Sequence, residues 1–399
     1  MRQFLNFNFL NSETVKSFYK EFTGLFSKPF SGERTNLISL DIGTSSVKLV
    51  ELGRKHNQII LENFMIAPLP EGAVVGHKIE NYSFLTDTLK EIVAKNNYAG
   101  RDTAVVLSGP QVVMQILKVP NGLADHQLAT HVELEAEKYL PFSTEEVALD
   151  FDVLDAGKKS LSNASITSIP GAAMPNLTNP KVHTEVLLAA TKKTLIDEYI
   201  TILKAADLNI KVMDIYSCVI GRLSTHIVSK QLQSDVSDKV IAMVDIGHEI
   251  LTVTIFKNEK QIYIKEQNFG GKLLNELIQK EHSVDYKLAE NLKFKHEDSA
   301  IAAIIENFNT QVTMQIYHMI QFFYASIASE KINYIYLFGG CAKLPGLVKS
   351  INQKMEIDVD ILKPFININI EKFAKDKKLQ DYDTTLATAC GLALRSYVG

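Results

Sequence analysis

The sequence is poor in cysteine, and its cysteines are not placed for metal or disulfide chemistry. There are three, Cys218, Cys341 and Cys390. They lie far apart and form no Cys-X-X-Cys pair, which argues against a zinc site or a redox motif. An odd count without pairing is typical of a reducing compartment. We therefore expect a cytoplasmic protein.

Long apolar runs are also missing. No stretch approaches the ~20 apolar residues that a membrane-spanning helix needs. Near the N-terminus, Asn6, Asn8 and Asn11 interrupt what would be the apolar segment of a signal peptide. We therefore expect no membrane span. Any contact with a membrane would come through a surface helix or a partner.

The chain has no strong excess of charge of either sign. Forty-two lysines and arginines stand against 46 aspartates and glutamates, for a net charge of -4. Nucleic-acid binders usually carry a marked basic excess, so we expect no nucleic-acid partner. The 399 residues are 46% hydrophobic and 22% charged, which predicts a globular protein of two to three domains.

Two segments of the sequence repeat one pattern, an apolar strand, Asp-Ile-Gly, a polar turn and a second apolar strand. They are LISLDIGTSSVKLVEL at 37–52 and IAMVDIGHEILTVTIF at 241–256. A glycine in such a turn brings backbone N–H groups close to anionic oxygens, and a carboxylate at the strand end can hold hydrated Mg²⁺. The residues expected to contact phosphate or metal are Asp41, Gly43, Thr44, Ser45, Ser46, Lys48, Asp245 and Gly247.

A third glycine motif completes this pattern. In YLFGGCAKLPGL at 336–347, a strand runs into Gly339-Gly340, where the backbone can pass against a flat ligand such as adenosine. Gly270-Gly271 precedes a helix whose N-terminus could contact an anion or a ribose. The sequence has no GxxxxGK[ST], which excludes a P-loop, and no GxGxxG after a strand.

These motifs resemble the ATPase fold shared by actin, heat-shock chaperones and sugar kinases. The resemblance implies an α/β protein with two RNase H-like lobes, which would hold ATP and Mg²⁺ between them. Asp41 would then act on the metal, and Asp245 on the metal or the attacking water, as the catalytic pair. The nucleoside would be surrounded by Gly270, Gly271, Glu290, Lys293, Gly339 and Gly340.

A closer resemblance is to the type IV pilus assembly PilM family, an actin-like group related to FtsA. It is carried by DIGTSSVKLVEL, EAEKYLPF, FGGKLLNELIQKEHSVDYKLAENLK, GGCAKLPGL and GLALR, in that order. It implies an ATP-binding adaptor of the pilus machine used in twitching motility, or of a related secretion or competence system. This adaptor would be peripheral to the inner membrane. Its partner would be the cytoplasmic N-terminal tail of a PilN-like membrane protein, docked in a groove between the core and an inserted subdomain. The adaptor could also contact pilus motor ATPases, and it could form a homo-oligomer.

The same resemblance divides the chain into segments. The first lobe is expected at 35–102, an inserted subdomain at 103–214, a connecting helix at 215–238, the second lobe at 239–384 and a C-terminal connecting helix at 385–399. Within the insertion we expect a helix from Asp125 to Leu140 and a long mobile hairpin loop at 156–181. Another helix is expected from Met213 to Ser229.

The N-terminal extension, residues 1–34, carries an apolar stripe at helical spacing. The residues of this stripe are Val15, Phe18, Tyr19, Phe22 and Phe26. Two interpretations of the stripe remain open. An amphipathic helix could contact lipid headgroups or a partner. A helix docked on the protein's own body is favoured, because the polar face is not strongly basic.

Other functions fit parts of this sequence. An FtsA-like division protein usually ends in an amphipathic membrane-targeting helix, whereas this sequence stops just after its last predicted helix. A small-molecule kinase needs a further catalytic carboxylate, and none stands out. A further alternative is a purely structural protein whose degenerate cleft binds no nucleotide. His248 and Glu249 occupy the second phosphate turn, and a carboxylate pointing inward would repel a γ-phosphate. We therefore expect weak or no ATPase activity.

Overall fold

The computed structural model describes residues 37–154, 183–258, 260–294 and 298–398. The N-terminal extension and the loop expected at 156–181 lie outside these ranges. Within the described ranges, no helix has the length and apolar character needed to cross a bilayer.

The first Asp-Ile-Gly motif begins a five-stranded sheet. Its strands are β1 (Ile38–Ile42), β2 (Ser46–Lys55), β3 (Gln58–Pro68), β6 (Asp102–Leu107) and β10 (Asn209–Ile215). Strands β1, β2 and β3 form an antiparallel meander because short turns connect them, whereas β6 and β10 add in parallel beside β1. The order is β10-β6-β1-β2-β3. A small hairpin follows β3 and consists of β4 (Val74–Val75) and β5 (Lys78–Ile79).

The second Asp-Ile-Gly motif begins a sheet of the same topology. Its strands are β11 (Val240–Ile246), β12 (Ile250–Lys257), β13 (Lys260–Asn268), β14 (Tyr334–Phe338) and β15 (Asp358–Ile361). The order is β13-β12-β11-β14-β15, again a meander followed by two parallel strands. The two halves therefore repeat one plan. We call residues 37–109 and 200–238 lobe I and residues 239–384 lobe II.

The helices follow the expected apolar spacing in most places. They are α1 (Tyr82–Asn96), α2 (Asp125–Ala136), α3 (Lys193–Ala205), α4 (Tyr216–Arg222), α5 (Val228–Leu232), α6 (Gly271–His282), α7 (Tyr286–Leu292), α8 (Ser299–Ser326), α9 (Leu347–Met355), α10 (Lys377–Tyr382) and α11 (Ala387–Leu394). A π turn, Leu223–Ile227, joins α4 to α5. Three short 3-10 turns lie at Thr144–Glu146, Glu371–Phe373 and Asp383–Leu386.

Residues Pro110–Tyr199 form a separate compact unit. Its described part contains an antiparallel sheet of order β7-β9-β8, made of β7 (Val112–Pro120), β8 (Val147–Val153) and β9 (His183–Lys192). Leu117 and Val186 pair across the strands and pack with Val132 of α2. This small core covers one face of the sheet.

The inserted unit is shorter than the predicted range 103–214. The predicted range includes β6 and β10, but β6 pairs with β1 and β10 pairs with β6, so both strands belong to the first sheet. Met213 pairs with Val105 inside that sheet, and the helix expected from Met213 begins only at Tyr216. Parallel pairing across a long insertion is a tertiary contact that local sequence does not reveal. The rest of the predicted division stays a prediction.

Helix α2 ends one turn earlier than predicted. The expected end was Leu140, but the last helical residue is Ala136. The amides of Tyr139 and Leu140 both donate to the Ala136 carbonyl, at 2.9 and 3.1 Å, which closes a turn instead of extending the helix. Proline disfavours helical backbone at the preceding residue, so Pro141 accounts for the early end.

Helices α4, α5 and α11 join the two lobes through one apolar core. This core contains Val50 of the first sheet, Leu223 and Leu392 of the helices, and Met243 of the second sheet. Gly391 is needed for this packing, because a Cβ there would lie 2.9 Å from both Leu223 Cγ and the Val219 carbonyl oxygen. The C-terminal small-residue helix predicted from the sequence is present and fully buried.

A buried ion cluster fixes the C-terminal end of α11. The carboxylate of Asp214 is fully buried and accepts from Arg222 and, at 3.0 Å, from Arg395. Burial opposes ionisation of Asp214, but the two guanidinium groups outweigh it and hold its pKa below the usual value. Arg395 is the arginine of the GLALR motif, so this motif ties the chain end to β10.

Candidate nucleotide site

The first Asp-Ile-Gly turn places a carboxylate beside an ammonium. Asp41 and Lys48 lie directly opposite each other on β1 and β2, so their side chains share one face. They form an ion pair of 3.4 Å. The Gly43 amide donates to the Ser46 carbonyl at 3.1 Å and closes the turn. Asp41 and Lys48 are seven positions apart in the chain, so one tight turn suffices to build this half of the site.

The second turn repeats this geometry. The Gly247 amide donates to the Ile250 carbonyl at 3.0 Å, and Asp245 lies at the end of β11 beside Phe338 of β14. Gly339 follows with a φ of +90, and a Cβ there would overlap the Asp245 carboxylate. A glycine at 339 therefore lets the strand end pass against the aspartate.

One cavity of about 690 Å³ collects nearly all of the predicted site residues. Its wall contains Asp41, Gly43, Thr44, Ser45, Ser46, Lys48, Asp245, Gly247, Gly271, Glu290, Lys293, Gly339 and Gly340. The volume lies within the range of small-ligand pockets. Gly340 faces open space, since a Cβ built there meets nothing within 4 Å.

Gly270 is the predicted residue that does not line this cavity. A Cβ at 270 would collide with the backbone carbonyls of Gly247 and His248. The amide of Gly271 donates to the Gly247 carbonyl at 3.0 Å. Gly270 therefore supports the second turn from behind, and α6 begins in contact with that turn.

Asp245 has the most perturbed carboxyl group of the cavity wall. Burial and, next, the charge of Asp41 raise the pKa of Asp245 to about 6. The hydroxyl of Tyr216 donates to Asp245 Oδ2 at 3.0 Å. Burial raises the pKa of Tyr216 well above its usual value, so Tyr216 stays a neutral donor.

Glu290 is the centre of the polar contacts at the other end of the cavity. Its Oε1 accepts from Asn275 at 2.6 Å, from Lys293 at 2.7 Å and from Tyr286 at 3.1 Å. Although burial opposes it, Lys293 and these hydrogen bonds hold the pKa of Glu290 below the usual value. The predicted spacing of Glu290 and Lys293 thus gives an ion pair on the cavity wall. The rings of Phe294 and Tyr382, with centroids 6.5 Å apart, line the same end.

Glu249 of the second turn has partners for both carboxylate oxygens. Oε2 accepts from the Gly76 amide at 2.9 Å, and Oε1 accepts from Lys272 at 3.1 Å. Burial opposes ionisation, but these two donors hold the pKa of Glu249 below its usual value. His248, beside it, has its pKa lowered by burial and by Lys293, so its ring is neutral near pH 7.

Several residues of the cavity wall were not predicted from the sequence. They are Gly76, His77, Ser108, Tyr216, Glu266, Tyr286, Phe294 and Tyr382. They come from seven separate elements or turns and carry no motif. A sequence signal existed only for Tyr286, which lies one helical turn before Glu290.

The wall is acidic, which decides what kind of ligand it fits. It carries six carboxylates and three lysines, namely Asp41, Asp245, Glu249, Glu266, Glu290, Asp376, Lys48, Lys293 and Lys378. A polyphosphate brought here without a counter-ion would be repelled. Mg²⁺ in nucleotide sites typically uses one or two carboxylates together with substrate phosphates. Asp41 and Asp245 fit that role, because a divalent cation would offset the repulsion between their charges.

A dedicated protein cage for a metal is not present among the described residues. No group of three or more histidine, cysteine, aspartate or glutamate side chains is placed to hold an ion there. The wall does carry the carboxylates of Asp41 and Asp245, together with Lys48 and the hydroxyls and amides of the first turn.

Comparison with solved structures identifies the fold. A solved "PilM-PilN type IV pilus biogenesis complex" matches with a TM-score of 0.71 and 23% identity, covering 92% of this chain and 100% of that one. This match confirms the expected actin-like ATPase fold. Weaker similarities include ethanolamine utilization protein EutJ from Carboxydothermus hydrogenoformans, with a TM-score of 0.49, 12% identity and coverage of 96% and 98%. MreB 5 of Spiroplasma citri bound to AMPPNP matches with a TM-score of 0.45 and 12% identity, covering 90% of this chain and 95% of that one.

The family match covers almost the whole described chain. Residues 39–168 and 172–397 match the family described as type IV pilus assembly protein PilM. Both Asp-Ile-Gly turns, the glycine motif at 339–340 and all of the inserted unit except residues 169–171 lie inside the matched ranges. The chain therefore belongs to the type IV pilus assembly protein PilM family.

Proposed function

We propose that this protein binds ATP with Mg²⁺ in the cavity and acts as an adaptor in type IV pilus assembly. The observation that supports nucleotide binding best is the convergence of two Asp-Ile-Gly turns and the Gly339-Gly340 turn on one cavity. Each turn alone is common, whereas their meeting around a volume suited to a small ligand is not.

The chemistry of the wall assigns a role to each part of the nucleotide. Backbone amides and hydroxyls of the two turns would donate to phosphate oxygens, and Lys48 would supply a positive charge. Asp41 and Asp245 would hold the water shell of magnesium. Glu290 would accept from ribose hydroxyls through its second oxygen. The backbone of Gly339-Gly340 would lie against the base.

Position 340 offers a variant that tests occupancy with little effect on folding. A side chain at Gly340 projects into open space, so Gly340→Leu fills part of the cavity without a backbone clash. We expect Gly340→Leu to weaken ATP binding about ten-fold or more, since a branched side chain would occupy the ligand's volume. Gly340→Ala is the matched control and should bind nearly as wild type.

Isothermal titration with ATP measures this effect, with and without Mg²⁺. Because the wall is acidic, ATP in EDTA should bind far more weakly than ATP with Mg²⁺. Equal binding by the wild type and Gly340→Leu would place the nucleotide elsewhere. A wild type that takes up no ATP would contradict the proposal itself.

We also propose that hydrolysis is weak or absent. Asp245, the carboxylate expected to orient water, already accepts a hydrogen bond from the Tyr216 hydroxyl at 3.0 Å, so one of its two oxygens is engaged before water binds. Phosphate release under saturating Mg-ATP measures this. A turnover similar to that of metabolic kinases would contradict it.

The proposed partner is the cytoplasmic N-terminal tail of a PilN-like inner-membrane protein. Family membership and the fold shared with the solved PilM-PilN complex support this. In the inserted unit, β7 and β8 are the outer strands of the sheet order, and extended peptides commonly add to such edges. The protein would then lie at the inner face of the membrane through this partner.

A tail peptide labelled with a fluorophore tests partner binding by anisotropy. The matched variant replaces residues 110–192 by a short Gly-Ser linker, which keeps β6, α3 and β10. We expect loss of peptide binding with ATP binding retained. Unchanged peptide binding by this folded variant would exclude the inserted unit. Contacts with motor ATPases, self-association and a role in twitching stay predictions, and nothing observed favours the FtsA-like alternative.

A further inference from the structure

The turn of the β4–β5 hairpin reaches from lobe I to lobe II. The amide of Gly76 donates to Glu249 Oε2 at 2.9 Å. The ring of His77 contacts Glu266 through Nε2, at 3.0 Å from Oε2. Both acceptors belong to lobe II, and all four residues line the cavity.

The hairpin is firmly attached to its own lobe. His77 Nδ1 lies 3.1 Å from the hydroxyl of Ser108, at the end of β6. Gly109 follows with a φ of +92, and a Cβ there would overlap the His77 ring, so ring and backbone are in close contact. The Leu69 amide donates to the Ser45 carbonyl at 2.9 Å, which links the start of this segment to the first phosphate turn. A movement of lobe I therefore carries the turn with it.

The acceptors in lobe II are equally tied to the site. Asp245, Thr252 and Glu266 lie opposite one another on β11, β12 and β13, so their side chains share one face of the sheet. Glu249 belongs to the second phosphate turn. The turn of the hairpin thus contacts the two parts of lobe II that carry the candidate metal and phosphate groups.

We propose that Gly76 and His77 form a latch that holds the two lobes together across the cavity and sets how long a nucleotide stays bound. This proposal rests on the proposed binding of ATP. The donor and acceptor of each contact belong to different lobes, so separation of the lobes must break both contacts. A nucleotide that contacts both walls of this cavity would lose contacts when the lobes separate, because residues of both lobes line it.

The release rate of a fluorescent ATP analogue, chased with excess ATP, tests the latch. His77→Ala removes one contact to a charged acceptor, which typically contributes enough for about a ten-fold change in rate. We expect release from His77→Ala and from Glu266→Ala to be about ten-fold faster than from wild type. The double variant should be no faster than either single one, because both remove the same contact. Glu80→Gln is the matched control, since Glu80 pairs with Lys78 inside the hairpin.

A cross-linked protein tests the same proposal in the opposite direction. A H77C/E266C variant, joined by a short bismaleimide, should release nucleotide far more slowly than the same variant before cross-linking. Equal rates before and after cross-linking would overturn the latch. Release unchanged in both alanine variants would overturn it as well.

Hydrogen exchange separates failure of the latch from failure of nucleotide binding. In the protein without nucleotide, the bonded Gly76 amide should exchange slowly, and His77→Ala should speed exchange at 74–79 and 247–250. If ATP does not bind but this difference appears, the lobe contact stands and the nucleotide proposal fails. If exchange is the same in wild type and variant, the latch is wrong.

Discussion

Replacing Asp245 by asparagine should stabilise the fold while it impairs the site. In the folded protein the pKa of Asp245 is raised to about 6, by burial and then by Asp41. In an unfolded chain an aspartate titrates near ~3.9. The folded state therefore binds this proton more tightly, so the ionised carboxylate opposes folding above pH ~6 and ceases to do so as the pH falls towards ~4. Asparagine removes the charge and can still accept from Tyr216.

The size of the effect follows from the two pKa values. A difference of about two units corresponds to about 3 kcal/mol if the whole of it opposes folding at neutral pH. Asp245 lines a cavity and is only partly shielded from solvent, so we expect about half of this, ~1–2 kcal/mol. For a chain of this length that is a rise in Tm of about 1–4 °C.

Thermal melts in EDTA measure this difference. The sequence has no tryptophan, so far-ultraviolet circular dichroism is the suitable signal. Asp245→Asn should melt above wild type at about pH 7.5, and the gap should shrink at about pH 5, because wild-type Asp245 is then largely protonated. Asp238→Asn, at an exposed position, is the control and should show no such gap.

The reasoning fails if Asp245→Asn melts at or below wild type near neutral pH, or if the gap does not depend on pH. Addition of Mg-ATP supplies a second comparison. Ligand that binds only the folded state raises its stability. Mg-ATP should therefore raise the Tm of wild type more than that of Asp245→Asn.

Two further predictions concern the core between the lobes. Arg395→Ala leaves buried Asp214 with one guanidinium partner and should lower the free energy of unfolding by about 3 kcal/mol. This effect should fade in acid as Asp214 becomes protonated. An unchanged thermal melt near neutral pH would contradict the prediction. Gly391→Ala places a Cβ against Leu223 and should cost about 1–3 kcal/mol in denaturant unfolding, whereas unaltered stability would show that α11 can shift freely.

The two Asp-Ile-Gly turns could be predicted because their geometry is local. Asp41 and Lys48 are brought together by one tight turn, and a repeated motif indicates a repeated turn. The same holds for α1, where Leu85, Leu89 and Ile92 are all buried as their spacing indicates. In such elements, neighbours in the chain are also neighbours in space.

The remaining site residues could not be predicted because they meet over long distances in the chain. His77 and Glu266 are 189 positions apart, and Gly76 and Glu249 are 173 apart. Neither pair has a spacing that a helix or hairpin would explain. The boundary of the insertion was wrong for the same reason, since β10 returns to β6 only in the folded sheet.

Three of the contacts between the lobes at the cavity share one polarity. Lobe I supplies the donors, the Tyr216 hydroxyl, the Gly76 amide and the His77 ring, while lobe II supplies carboxylates at 245, 249 and 266. Donors of this kind compensate partly buried carboxylates for the water that they lose. A cation that binds Asp245 draws on the same lone pairs as Tyr216, and Tyr216 is the first residue of α4, which packs between the lobes. Occupation of the cavity and the contact between the lobes therefore depend on the same carboxylates.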